Sequence, residues 1–287
     1  PSIFLGAPNT DTVLSVLPGH ELLLDGKGFQ AIKLACLGAL IGSIILVIFS
    51  LPLSLIISQF YNKIKIFIPF ILILVSFSLV FTEQKKLSAF FIFALTGILG
   101  LLTLNINIKE PLLPLLTGLF GASSLIFSIK NKVKIPEQNP DEKLNLRKKQ
   151  ILKNSFSAFI SSPLSIFLPA ISSSQIAIIG NSIAREEKGG FLFLQGVVSS
   201  LTMGFSFLAL LTISKTRTGS AVAIEKLIGI PSIKIFILIL IIALLTSLIS
   251  YFLCLKLSAL FLKLISYFNY SKLSLCILIF LTLIFLA

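Results

Sequence analysis

Eight stretches without a single Asp, Glu, Lys or Arg constrain this chain more than any other feature. They cover residues 34–62, 66–82, 87–108, 111–129, 154–184, 189–214, 235–255 and 273–287, which is 180 of 287 residues. A bilayer core about 30 Å thick takes about 20 helical residues at 1.5 Å each. The runs are of that order or longer, and none alternates with a period of two. All exceed the roughly 10-residue strand of a membrane barrel. Backbone in lipid must close its own hydrogen bonds, so runs of this kind are helices. The predicted fold is all-α: a polytopic transmembrane helix bundle of about 8 spans at this run length.

The charge inventory fits a membrane protein and excludes a soluble one. Only 12% of residues are charged and 56% are hydrophobic, whereas soluble domains carry roughly a quarter charged residues. Of the 35 charged side chains, 11 fall in 130–153, KNKVKIPEQNPDEKLNLRKKQILK, eight of them Lys or Arg. Basic residues collect in cytoplasmic loops. The net charge of +13 therefore calls for no nucleic-acid partner. The segment 130–153 is expected to be a cytoplasmic linker between 1–129 and 154–287, in a multi-pass protein of the cell membrane. Counting outward from it places Glu83–Lys86 in the cytoplasm, and Tyr61–Lys65 and Asn105–Glu110 outside. Trp is absent, so anchoring at the interfaces falls to Tyr61, Tyr251, Tyr267 and Tyr270.

The two halves carry traces of a repeat. GAPNTDTVLSV (6–16) lies on SKTRTGSAVAI (214–224) at an offset of 208, pairing Thr10 with Thr218 and Thr12 with Ser220. The long runs ending at Tyr61 and Tyr267 are offset by 206. Duplicated halves are a common plan for transporters. The same offset puts the first-half counterpart of FLPAISSSQIAII (167–179) before Pro1, which predicts at least about 60 further residues upstream. Relative orientation depends on 154–184. A single crossing brings both threonine segments to the cytoplasmic side; a segment that dips in and returns sets them on opposite sides.

No catalytic kit stands out. The one histidine, His20, excludes HExxH zinc chemistry. No acid lies near the middle of a long apolar run. Cys36, Cys254 and Cys276 all sit in apolar runs and read as small apolar residues. What does stand out is polar, helix-breaking sequence in apolar surroundings. Gly6 and Pro8 flank Asn9, Thr10, Asp11 and Thr12. Pro163 and Pro169 precede Ser172, Ser173, Ser174 and Gln175. The third segment holds Thr216, Arg217, Thr218, Gly219 and Ser220. Helix breaks within a bilayer expose backbone N–H groups and helix N-termini that favour anions. An Arg at that depth costs about 2.5–3.5 kcal/mol on insertion scales and needs a partner, for which a carboxylate has matching bidentate geometry.

At these residues a family resemblance emerges. LGAPNTDTVLSVLPGHELLLDGKGFQAI (5–32) resembles the signature region of the large membrane subunit of tripartite tricarboxylate transporters. Gly6, Pro8, Thr10, Gly19, Leu22, Gly26 and Ala31 fall in register. FLPAISSSQIAIIG (167–180) is similar to the family's second signature. The family's Pro-Gly pairs stand here as Pro8–Asn9 and Pro169–Ala170, the mark of a divergent member. The resemblance implies a secondary carrier for organic anions, driven by an ion gradient and without a bound cofactor. It also implies a small membrane subunit and a solute-binding protein as partners.

The expected function is thus an ion-coupled permease for a carboxylate or other small organic anion, not an enzyme. The expected cradle is Gly6, Pro8, Asn9, Thr10 and Thr12, with Thr216, Arg217, Thr218, Gly219 and Ser220, completed by Ser172–Gln175. Asp11 is the expected ligand for a coupling sodium ion or proton, and Arg217 that for the anion. Two rival readings remain at this point. One is a non-transporting scaffold or assembly subunit. The other is an intramembrane enzyme working through Ser172–Ser174.

Overall fold

The computed structural model describes residues 13–64, 66–106, 115, 117–130, 136, 146–168, 171–267, 275–276 and 278–280. In chain order these form α1 (Val13–Leu24), α2 (Gly28–Ile64), α3 (Ile68–Thr82) and α4 (Lys86–Leu104). A π-helical turn (Thr117–Ala122) then leads into α5 (Ser123–Lys130). The second half holds α6 (Lys148–Ser161), α7 (Leu164–Phe167), α8 (Ser173–Ala184), α9 (Lys188–Ile213), α10 (Gly219–Ile228) and α11 (Ile233–Tyr267). No strand occurs among the described residues. The all-α bundle expected from the charge-free runs is what forms. Four described helices are long and apolar enough to cross a membrane: α2, α4, α9 and α11.

The centre of the bundle is the seam between α2 and α9. Three glycines let their backbones meet. A Cβ on Gly38 would collide with the carbonyl of Phe193, and one on Gly196 with the carbonyl of Ala35. One on Gly42 would lie 2.6 Å from the Val197 carbonyl oxygen. Gly204 in turn receives the side chain of Leu46, and Ser200 Oγ donates to the Ala39 carbonyl at 2.8 Å. In lipid there is no hydrophobic drive to pair helices, so close backbone packing and interhelical hydrogen bonds take that role. Contacts step forward together along both helices (38 with 193–197, 42 with 197–200, 46 with 204), so α2 and α9 are parallel.

Two further pairings fix the rest. Cys36 meets Cys254 and Ser43 meets Ser247, so α11 runs antiparallel to α2. Gln150 reaches Glu186 and Ser157 donates to the Gly180 carbonyl, so α6 and α8 also run antiparallel. The two described helices of 154–184 therefore pack as an antiparallel hairpin, not as one continuous helix. The reason is local. Pro163 stands at the start of α7, and Leu168, preceding Pro169, is extended at φ −92, ψ 118, as a residue before proline prefers. The 14 residues of α6 span only about 21 Å, short of the roughly 30 Å core.

The two halves hold a similar succession of elements. In each half a short helix of 12 or 10 residues precedes a positive-φ glycine turn and a helix of 37 or 35 residues. The turn glycines are Gly26 (φ 78) and Gly229 (φ 70). Glycine meets that backbone conformation without the Cβ penalty. Because α2 and α11 are antiparallel, the two helix pairs run in opposite directions. Glu21 and Lys188 form an ion pair at 2.7 Å on the face where α2 and α9 begin. The Thr216–Ser220 segment follows the opposite end of α9, away from the end where Glu21 of α1 meets Lys188.

The glycine seam yields a direct expectation. Gly196→Ala should destabilise the detergent-solubilised protein by about 1–3 kcal/mol, the usual range for overpacking, read as a lower thermal unfolding midpoint. Gly97→Ala on α4, where a Cβ meets nothing within 4 Å, should leave it unchanged. Equal effects at both positions would show that backbone approach does not set the seam.

Candidate functional site

The site is built where α9 stops. Ser214 adopts the left-handed conformation (φ 54, ψ 40), and the Lys215 N–H returns to the Ala209 carbonyl at 3.4 Å. Five residues later a new helix begins at Gly219, capped by Thr218, whose side chain accepts from the Ala221 N–H at 3.4 Å. A hydroxyl cap satisfies one of the orphan donors of a helix start.

One buried hydroxyl, Ser206 on α9, organises this break. Its Oγ accepts the backbone N–H groups of Arg217 and Thr218, each at 2.9 Å, and Thr218 Oγ1 donates to it at 3.0 Å. Ser220 Oγ lies 3.2 Å from Thr218 Oγ1. Thr216 turns away, donating to Glu225 Oε2 at 3.3 Å. The α10 N-terminus opens onto space, since a Cβ on Gly219 would meet nothing within 4 Å.

Arg217 ties this break to the hairpin. Its Nη2 donates to the Ile166 carbonyl of α7 at 2.8 Å. The Nε is buried without a hydrogen-bond partner among the described residues. No carboxylate lies within ion-pair distance of it there; the ion pair among those residues is Glu21–Lys188. A guanidinium so placed is a positive charge with unused donors. It lies next to a helix start that is itself the positive end of a dipole.

The hairpin brings a second helix N-terminus, that of α8. Ser172 and Gln175 form a reciprocal capping box: Gln175 N–H donates to Ser172 Oγ at 3.3 Å and Ser172 N–H to Gln175 Oε1 at 2.9 Å. These two expected cradle residues thus satisfy each other locally. Ser173 and Ser174 are buried, and Gln195 Nε2 on α9 donates to Ser174 Oγ at 3.5 Å. Alongside, α6 presents a buried polar row, Asn154, Ser157 and Ser161, and α7 adds the buried Ser165. The remaining expected residues, Gly6, Pro8, Asn9, Thr10, Asp11 and Thr12, lie outside the described residues.

Sequence reasoning missed Ser206, Gln195 and the α6 row. A signal existed for two of them. Asn154, Ser157 and Ser161 recur every three or four positions, as do Gln195, Ser199 and Thr202, which is one face of a helix. No local pattern marked Ser206, whose partners are 11 and 12 residues away across a break.

Across residues 1–287 the sequence matches the tripartite tricarboxylate transporter TctA family. An uncharacterized protein of Methanocaldococcus jannaschii is 38% identical over 237 residues, a stretch covering 79% of this chain and 58% of that protein. The chain therefore spans little more than half the length of that relative. No solved structure matches it.

Ser206→Ala would strand two backbone N–H groups at the break. Each stranded buried donor costs about 1–3 kcal/mol, so thermal unfolding in detergent should show a clear loss of stability. Ser232→Ala, at an exposed cap whose N–H contact is 3.5 Å long, should stay within about 0.5 kcal/mol, as surface substitutions do. Similar effects at the two serines would remove Ser206 from its organising place.

Proposed function

The chain belongs to the tripartite tricarboxylate transporter TctA family, and from that premise we propose that it is the permease part of a secondary carrier for a carboxylate anion. In this reading two inverted halves alternate access to a central site, coupled to sodium ions or protons. The observation that carries the proposal is Arg217: a cation at a helix break, with a buried Nε lacking a partner and no acid paired to it among the described residues. A carboxylate supplies both the missing charge and the missing acceptor, and charge-assisted bonds of this kind are roughly twice as strong as neutral ones.

The roles follow from the geometry. Arg217 binds the anion, and the open α10 N-terminus at Gly219 and Ser220 adds backbone donors and the positive end of its dipole. Thr218 and Ser206 hold that start in place. Ser173 and Ser174 contribute from the hairpin, with Ser172 and Gln175 capping the helix that carries them. By the repeat, Gly6, Pro8, Asn9, Thr10 and Thr12 supply the equivalent face from the other half, and Asp11 takes the coupling cation. Thr216, through Glu225, steadies α10. The protein works in the cell membrane, with 130–153 in the cytoplasm, and a small membrane subunit and a solute-binding protein as partners.

The inverted arrangement of α1–α2 and α10–α11 supports alternating access, because inverted repeats bring two equivalent half-sites to the bilayer middle from opposite faces. Family membership favours a carrier over the serine-based enzyme. It also favours a carrier over a passive scaffold.

The test is ligand-dependent thermal stability of the purified full chain. Acetate, malate and citrate are each added with and without sodium at constant ionic strength. A ligand at a hundredfold excess over its Kd raises stability by about 2.7 kcal/mol. One carboxylate should give such a shift in wild type and none in Arg217→Gln. Folded protein that responds to no carboxylate, or Arg217→Gln that responds as wild type does, contradicts the reading.

A further inference from the structure

The seam between α2 and α11 holds two thiols face to face. Cys36 Sγ and Cys254 Sγ are 3.1 Å apart, though 218 residues separate them in sequence. They lie in an apolar nest with Leu23, Phe29, Ile32 and Leu262, and both are half-buried rather than sealed. Ser43 Oγ donates to Ser247 Oγ across the same seam at 3.0 Å two turns further along, which keeps the helices in register at the cysteines. Cysteine in an apolar helix is usually a small packing residue. Two cysteines brought together from the equivalent long helices of two repeats are a different matter.

We propose that Cys36 and Cys254 form a reversible disulfide that staples the two inverted halves together. The oxidant is a disulfide-bearing compound. One cysteine, as thiolate, attacks a sulfur of the oxidant, forming a mixed disulfide and expelling one thiolate. The second cysteine attacks the protein-side sulfur, closes the S–S bond and expels the other thiolate. Both protons end on the two released thiols, so the oxidant is reduced by two electrons and nothing else is consumed. The sulfurs approach by about 1 Å to reach the bond length of about 2.05 Å. Reductant reverses both steps. Once closed, the bond fixes α2 against α11. Its effect on transport rests on the carrier reading above, since halves that cannot shift cannot alternate.

The test uses the full chain in liposomes with Cys276→Ala, which removes the remaining thiol. The oxidant is the lipid-soluble 2,2′-dipyridyl disulfide. The expected result is a protein mass lower by two hydrogens, restored by reductant, and a single pyridylthio adduct when Cys36→Ala is added. Unchanged mass, or adducts on both cysteines, overturns the disulfide. In the same vesicles citrate uptake should fall at least tenfold on oxidation and return on reduction. Undiminished uptake in fully oxidised protein overturns the lock. If reduced protein takes up no citrate, that counts against the carrier reading with that substrate, and the mass result still decides the disulfide.

Discussion

Everything in this bundle depends on how closely α2 and α9 approach. Gly38, Gly42 and Gly196 remove the side chains that would hold the two backbones apart. Without that contact neither helix has another partner of comparable intimacy. The consequence is topological as well as energetic. A parallel α2–α9 pair places the start of α9 beside α1, as the Glu21–Lys188 ion pair records, and sends its far end to the opposite face. The α6–α8 hairpin is held against α9 by Asn154 to Gly190 and Gln195 to Ser174. The break and α10 hang from its other end. α11 then folds back along α2. One seam thus positions both halves.

The site exists because three backbone interruptions are tolerated in an apolar bundle. Irregular backbone in lipid requires partners within the protein. Here the partners are specific: Ser206 for the α9–α10 break, Ser172 and Gln175 for the start of α8, and Arg217 for the open carbonyl of Ile166. The polar groups that satisfy the breaks are also those that can meet a ligand. Arg217 is the exception, since its bond to Ile166 leaves Nε unused.

Much of this was legible in the sequence, and for physical reasons. Charge-free length reports membrane spans directly. Proline and glycine report breaks, so Pro163 and Gly219 marked the end of α6 and the start of α10. Arg217 stood out because charge inside an apolar run is costly. The hairpin was not legible. A 31-residue apolar run satisfies a hydropathy count equally well as one crossing or as two short helices, and the pairings of Gln150 with Glu186 and of Ser157 with Gly180 distinguish them. The glycine seam and Ser206 were hidden for a related reason. Their partners lie far along the chain, and glycine in an apolar helix carries no sign of what it packs against. The two cysteines read as isolated packing residues because nothing local joins position 36 to position 254.

The central claim is that α1–α2 and α10–α11 are inverted copies, so that their glycine turns face opposite sides of the membrane. Single cysteines at Asp25 and at Ser232, both exposed positions beside those turns, measure this directly. They would be placed one at a time in a cysteine-free chain and treated with a membrane-impermeant maleimide, before and after permeabilising the cells. The expected result is labelling of one site in intact cells and of the other only after permeabilisation. Labelling of both from the same side would contradict the inverted arrangement and the site built upon it.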